Sequence, residues 1–79
     1  MKQQFITWWG GHTTVEIDLN AEGAIKEAER IFTETRQGNL ALKRPPMVAI
    51  RTKPLPAEVI SQYDIMAEVI EFVVPLMGG

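Results

Sequence analysis

Val69-Ile70-Glu71-Phe72-Val73-Val74 is the stretch whose reading decides the fold, because it fits two periods at once. As a strand, Ile70, Phe72 and Val74 alternate with Val69, Glu71 and Val73, and the run is dense in β-branched residues, which suit a pleated surface. As a helix, Val59, Tyr63, Met66, Ile70, Val73 and Met77 recur at spacings of three and four, and Pro56-Ala57-Glu58 has the makings of a helix start. The β-branched density favours a final strand near 68–74, preceded by a short helical turn near 57–62. The alternative is a ββαβα order ending in a helix.

Upstream the periods are simpler. Residues 3–9 hold Phe5, Ile6, Thr7, Trp8 and Trp9, aromatic and β-branched types that predict a strand. Gly10-Gly11 then supplies a tight turn, and Val15, Ile17 and Leu19 alternate with Thr14, Glu16 and Asp18, so a β-hairpin opens the domain. Asn20 is a suitable N-cap, with Glu22 in the first turn where the helix dipole favours an acid. Ala24, Ile25, Ala28, Ile31, Phe32 and Thr35 form one helical face, and Gly38 stops the helix. Pro45-Pro46 marks a boundary, and Met47–Thr52 alternates as a third strand ended by Lys53-Pro54-Leu55-Pro56. The expected fold class is α+β: one domain over residues 1–79, hairpin, helix, strand and closing strand, with 76–79 a flexible tail.

Composition narrows the function classes. The chain has 79 residues, 46% of them hydrophobic and 23% charged, the balance of an ordinary globular domain rather than a disordered one. A net charge of −2 weighs against nucleic acid as the main partner, since phosphate neutralisation dominates that affinity. With no cysteine there is no disulfide framework, thiolate metal site or cysteine nucleophile, which suits a cytoplasmic protein. The apolar region near Ile65–Met77 is interrupted by Glu68, Glu71 and Pro75, so no membrane span is expected.

The tail Val73-Val74-Pro75-Leu76-Met77-Gly78-Gly79 resembles the end of the ThiS/MoaD-type sulfur carriers, small ubiquitin-like β-grasp proteins that finish in an apolar strand, often a proline, and Gly-Gly. Met47-Val48-Ala49-Ile50 through Pro54-Leu55-Pro56 is similar to their third strand and following turn. The resemblance covers about the last third of the chain. It departs from the family at Ile65-Met66-Ala67-Glu68, where an acidic-glycine turn is usual, and in a longer connection from Gly38 to Pro46. It implies a β-grasp fold and a carrier rather than an enzyme. A partner enzyme would use ATP to adenylate the Gly79 carboxylate, and sulfur would then be loaded as a thiocarboxylate. No cofactor would be bound by the carrier itself. Gly78 and Gly79, lacking Cβ atoms, would thread a narrow channel in the partner, and Phe72, Leu76, Met77 and the neighbouring sheet face would dock against it.

Other residues admit plainer readings. Trp8 and Trp9 are adjacent in a strand and point to opposite faces, so one is expected in the core and the other exposed as a contact residue. His12 is the sole histidine and sits in a turn, which leaves zinc without a ligand set. Glu16 and Asp18 share a strand face that solvent would cover. Lys43, Arg44, Arg51 and Lys53 are expected as a solvated group beside the third strand. Ser61 has no motif-placed histidine to activate it. The competing functional expectation is a small acidic interaction protein or inhibitor, phage-encoded in the manner of anti-CRISPR proteins. It would act by covering a larger partner through an exposed tryptophan and acidic faces, and its final segment would be helical.

Overall fold

The computed structural model describes residues 1–75. Chain order is β1 (Lys2–Trp8), β2 (His12–Asp18), α1 (Ala24–Gln37), β3 (Val48–Lys53), β4 (Glu58–Ile60) and β5 (Val69–Val73), with a 3-10 turn at Leu40–Leu42. The five strands form one sheet in the order β2-β1-β5-β3-β4. The β1–β5 pair is parallel and the other three are antiparallel. A mixed sheet of this order with one helix on one face is a β-grasp-like α+β fold.

The strand expected near 68–74 is β5 over Val69–Val73, and the helix-to-the-end alternative does not hold. β5 occupies the centre of the sheet, with β1 on one side and β3 on the other, so its backbone groups are paired on both edges. Its alternation is decisive: Ile70 and Phe72 are buried under the helix while Val69, Glu71 and Val73 face the other way.

The helical turn expected at 57–62 is instead an edge strand. Glu58, Val59 and Ile60 pair with Arg51, Ile50 and Ala49. Arg51 stabilises this return, donating to the Pro56 carbonyl at 3.1 Å and to Glu58 Oε2 at 3.0 Å. A bulge between Arg51 and Lys53 lets β3 change register against β5. The helix also begins later than Asn20 suggests. Residues 20–23 form turns, with the Ala24 amide bonded to the Ala21 carbonyl, and Gly23 at φ 74° takes the N-cap.

The core lies between α1 and the sheet. Phe5, Met47, Ala49, Ala67, Ile70 and Phe72 from the sheet side meet Ala28 and Phe32 from the helix. Ring centroids of Phe72 lie 6.1 Å from Phe5 and 5.9 Å from Phe32, and Tyr63 meets Phe32 edge-on at 6.0 Å. Gly38, at φ 77°, closes the helix where a Cβ would stand 2.7 Å from the backbone of Arg44, Pro45 and Pro46, so no other residue fits there.

One buried polar side chain joins the two ends of this core. Gln3 occupies an inward position of β1 and is fully buried. Its amide donates to the carbonyls of Asp64 at 3.0 Å and Ala67 at 2.8 Å, and its Oε1 accepts from the Tyr63 hydroxyl at 2.7 Å. Gln3 thus anchors the connection into β5, the segment Ile65-Met66-Ala67-Glu68 that departs from the sulfur-carrier pattern. Burial raises the Tyr63 pKa above its ordinary value, and the bond to Gln3 only partly offsets this. The neutral hydroxyl's contribution is therefore complete below the unfolded value near pH 10 and is lost as pH rises through the higher folded value. Tyr63→Phe is expected to cost about 1 kcal/mol at pH 7 and to flatten the alkaline limb of a stability–pH curve measured by denaturant unfolding.

Candidate functional site

Alternation along each strand leaves the sheet with one covered face and one open face. The open face carries Ile6 and Trp8 from β1, Val69, Glu71 and Val73 from β5, Val48 and Ile50 from β3, and Val59 from β4. The register lines these up across the strands. One row runs Thr14, Ile6, Glu71, Ile50, Val59, and the next runs from His12 and Trp8 to Val73 and Val48. No element of the described chain packs on them. The result is an apolar surface of aliphatic side chains with one carboxylate, Glu71, in its middle. Trp8 and Val59 are exposed and the others from β1, β3 and β5 half-buried, which makes this face the candidate site.

Trp8 is the largest group on this face and is 45% exposed. It is held in place rather than free: its indole Nε1 donates to Glu71 Oε1 at 2.8 Å, and its ring lies 5.1 Å from that of His12. A fixed aromatic with one edge already hydrogen-bonded loses little conformational freedom on binding, the property that concentrates binding energy on tryptophan. His12, expected in the turn, is instead the first residue of β2, paired with Trp8, and it supports the indole from there.

The second tryptophan corrects the expectation that one of the pair enters the core. Trp9 lies just beyond β1, on the helix side, and is 50% exposed. It borders a groove of about 660 Å³ between α1 and the hairpin, lined also by Val15, Ile31, Leu42 and Met47. Phe5 fills the core position instead, and β1 ends at Trp8 before the Gly10-Gly11 turn can carry Trp9 inward.

Phe72 is likewise corrected as a contact residue. Its side chain faces the helix and is 0% exposed, because β5 turns the even positions 70 and 72 inward. Its neighbours Glu71 and Val73 are the residues of that strand on the open face. Leu76, Met77, Gly78 and Gly79 lie outside the described residues. Val74 and Pro75, which lead to them, are exposed. They leave the sheet beside Trp8 and Val48, so the chain departs from the same end of the open face that the tryptophan occupies.

The charged groups are dispersed. Arg51 is paired with Glu58 at 3.0 Å and Asp64 at 3.3 Å, which removes it from any basic group with Lys43 and Arg44. Glu16 accepts from Gln4 at 3.2 Å and is 3.7 Å from Lys2, and Asp18 caps the Asn20 amide at 3.0 Å. Ser61 sits next to the helix, where its carbonyl accepts from Arg36 at 2.6 Å. Among the described residues, no three His, Asp or Glu side chains converge as a metal site would require, and no helix is long and apolar enough to cross a membrane.

Sequence reasoning did not identify the Trp8–Glu71 bond or the Gln3 anchor. Gln3 carried a usable signal: an amide at an inward position of a strand must find partners. The Trp8–Glu71 bond depends on the parallel register of β1 and β5, which no local pattern encodes. No family model, curated protein or solved structure matches the chain.

Proposed function

We propose that this domain is a carrier of the sulfur-carrier or ubiquitin-like kind, acted on at its C-terminal glycine by a partner enzyme. The observation that carries the reading is the exit of β5. The central strand runs out beside Trp8 on the apolar open face, so a partner that docks on that face is adjacent to the segment leading to Gly78-Gly79. In the reaction, the Gly79 carboxylate attacks the α-phosphate of ATP and releases pyrophosphate. A hydrosulfide-level donor then attacks the acyl carbon, forming the C–S bond as the C–O bond to AMP breaks, to leave a thiocarboxylate with no change of oxidation state. The carrier supplies the docking face and the terminal carboxylate; the partner supplies the catalytic groups.

The chemistry requires a free carboxylate at Gly79, so the test begins with the intact mass of the protein isolated from its own cells. A fraction shifted by one sulfur-for-oxygen exchange is expected. Deleting Gly79 should abolish the shift, and Trp8→Ala should lower loading tenfold or more while the fold persists, the effect of losing a binding anchor worth about 1.4 kcal/mol or more. A mass that never changes, in cells that contain an activating enzyme, would sink the reading.

The second reading, an interaction module or inhibitor that covers a larger protein, loses the helical final segment it called for, which is strand β5, but is favoured by the exposure of both tryptophans. Under it, activity survives deletion of Gly79 and falls with Trp8→Ala or Trp9→Ala.

A further inference from the structure

The two edges of the sheet are built differently. β4 is three residues long and is preceded by Lys53, Pro54 and Pro56, the usual means of blunting an edge. β2 is seven residues long, pairs with β1 in an unbroken register, and contains no proline, lysine or bulge. Its two charges, Glu16 and Asp18, are the only blunting it has, and the row of unpaired backbone groups it presents is a template for another strand.

The direction of its backbone groups follows from one bond. The Leu19 amide donates to the Met1 carbonyl at 2.8 Å, so Met1 and Leu19 form a hydrogen-bonded pair. Antiparallel pairs alternate between bonded and non-bonded, so Thr13, Val15 and Ile17 turn their amides to β1. His12, Thr14, Glu16 and Asp18 turn theirs outward.

We infer that β2 pairs antiparallel with β2 of a second copy, about a dyad at Val15, to give a continuous ten-stranded sheet. The strand is self-complementary in that register. Val15 is its midpoint, so all seven residues overlap. His12 then faces Asp18 of the second copy, Thr14 faces Glu16, and Thr13 faces Ile17; the outward amides and carbonyls pair, the Asp18 carbonyl, which already accepts from the Ala21 amide at 3.1 Å, doing so through its second lone pair. Sliding the dyad to Glu16 sets two carboxylates directly opposite and shortens the overlap. Gln4 and Lys2 already draw the Glu16 carboxylate towards β1, away from its diagonal counterpart. Val15, 41% exposed, meets its own copy on the groove side. The association leaves the open face and the end of β5 free and does not depend on the carrier reading.

Sedimentation equilibrium of the intact protein from about 10 µM to about 1 mM, a range that brackets weak association, should show the mass doubling from 8.9 kDa. Over that range, amide exchange at His12, Thr14, Glu16 and Asp18 should slow at least tenfold, while Thr13, Val15 and Ile17 stay protected throughout. Thr14→Pro removes an outward amide without touching the β1 ladder and should return the protein to monomer. Val15→Lys, which sets two lysines at the dyad, should do the same and serves if the proline variant folds poorly. A monomer at every concentration overturns the proposal. So does a dimer that survives both substitutions with its even-numbered β2 amides exchanging freely.

Discussion

Gln3→Leu is expected to cost about 2–4 kcal/mol, and Gln3→Glu about 3 kcal/mol or more at pH 7, both read from the denaturant midpoint at constant m. Leucine fills the volume but leaves the Asp64 and Ala67 carbonyls and the Tyr63 hydroxyl without the partner they have in the native fold. Ala67 is fully buried, so water does not replace the lost donor there. A domain of 79 residues has only about 4–12 kcal/mol of stability in all, so either change removes a large share. Glutamate discriminates this account from a packing account. It matches glutamine in shape but directs a carboxylate oxygen at two carbonyl oxygens, which the ionised form cannot tolerate and the protonated form can. The folded pKa of Glu at position 3 is therefore raised, and stability falls as pH rises from the unfolded value near 4.3. The variant should be more stable relative to the parent at pH 4 than at pH 7. Equal losses at both would mean that the amide is a space-filler.

Phe72→Ala should cost about 3–5 kcal/mol, the range for truncating a buried phenylalanine. The ring sits between Phe5 and Phe32 at the centre of the core, so its removal leaves a cavity shared by the sheet and the helix. Thermal unfolding should show a midpoint lowered by about 12 °C or more, taking about 4–8 °C per kcal/mol for a domain of this size. Trp8→Ala should lower it only slightly, since nearly half the ring is already in solvent. The contrast separates two ways of losing partner binding. If Phe72→Ala abolishes binding while the midpoint is unchanged, Phe72 is a contact residue and the present arrangement is wrong.

Much of the fold was legible because its signals are local. Gly10-Gly11 between two alternating runs specifies a hairpin, and the stripe Ala24, Ala28, Phe32 specifies a helix with one buried face. β5 was legible through β-branching even though its period was ambiguous. β4 was not, because Pro56-Ala57-Glu58 looks like a helix start when read alone. Its strand character comes from Arg51, seven residues earlier, whose guanidinium holds Glu58 and the Pro56 carbonyl. Asn20 failed as a cap for a similar reason: the chain spends residues 20–23 in turns before the helix can align with the sheet. At the candidate site, strand alternation put one tryptophan on the outer face without saying which, and it did not foresee that Trp9 would be exposed too. The burial of Phe72 followed from the same rule, but the inward phase of β5 is set by its partners β1 and β3, which lie far away in sequence.

That central position of β5 also dictates an order of assembly. The bond from Gln3 to Ala67 spans 64 residues, and the parallel pairing of β1 with β5 spans about as many. A chain emerging from the ribosome can form the hairpin and lay α1 on it early, since those contacts are local. The β3–β4 pair can form as well. Between the two halves a slot stays open until β5 arrives, with the inner edges of β1 and β3 unpaired on either side. Closure of that slot is the step expected to be slowest, since it forms the contacts of greatest sequence separation. While it is open, the slot accepts any strand of the right pattern, and the best match at high concentration is β5 of a neighbouring chain. Refolding yield should therefore fall with protein concentration through exchange of this one strand.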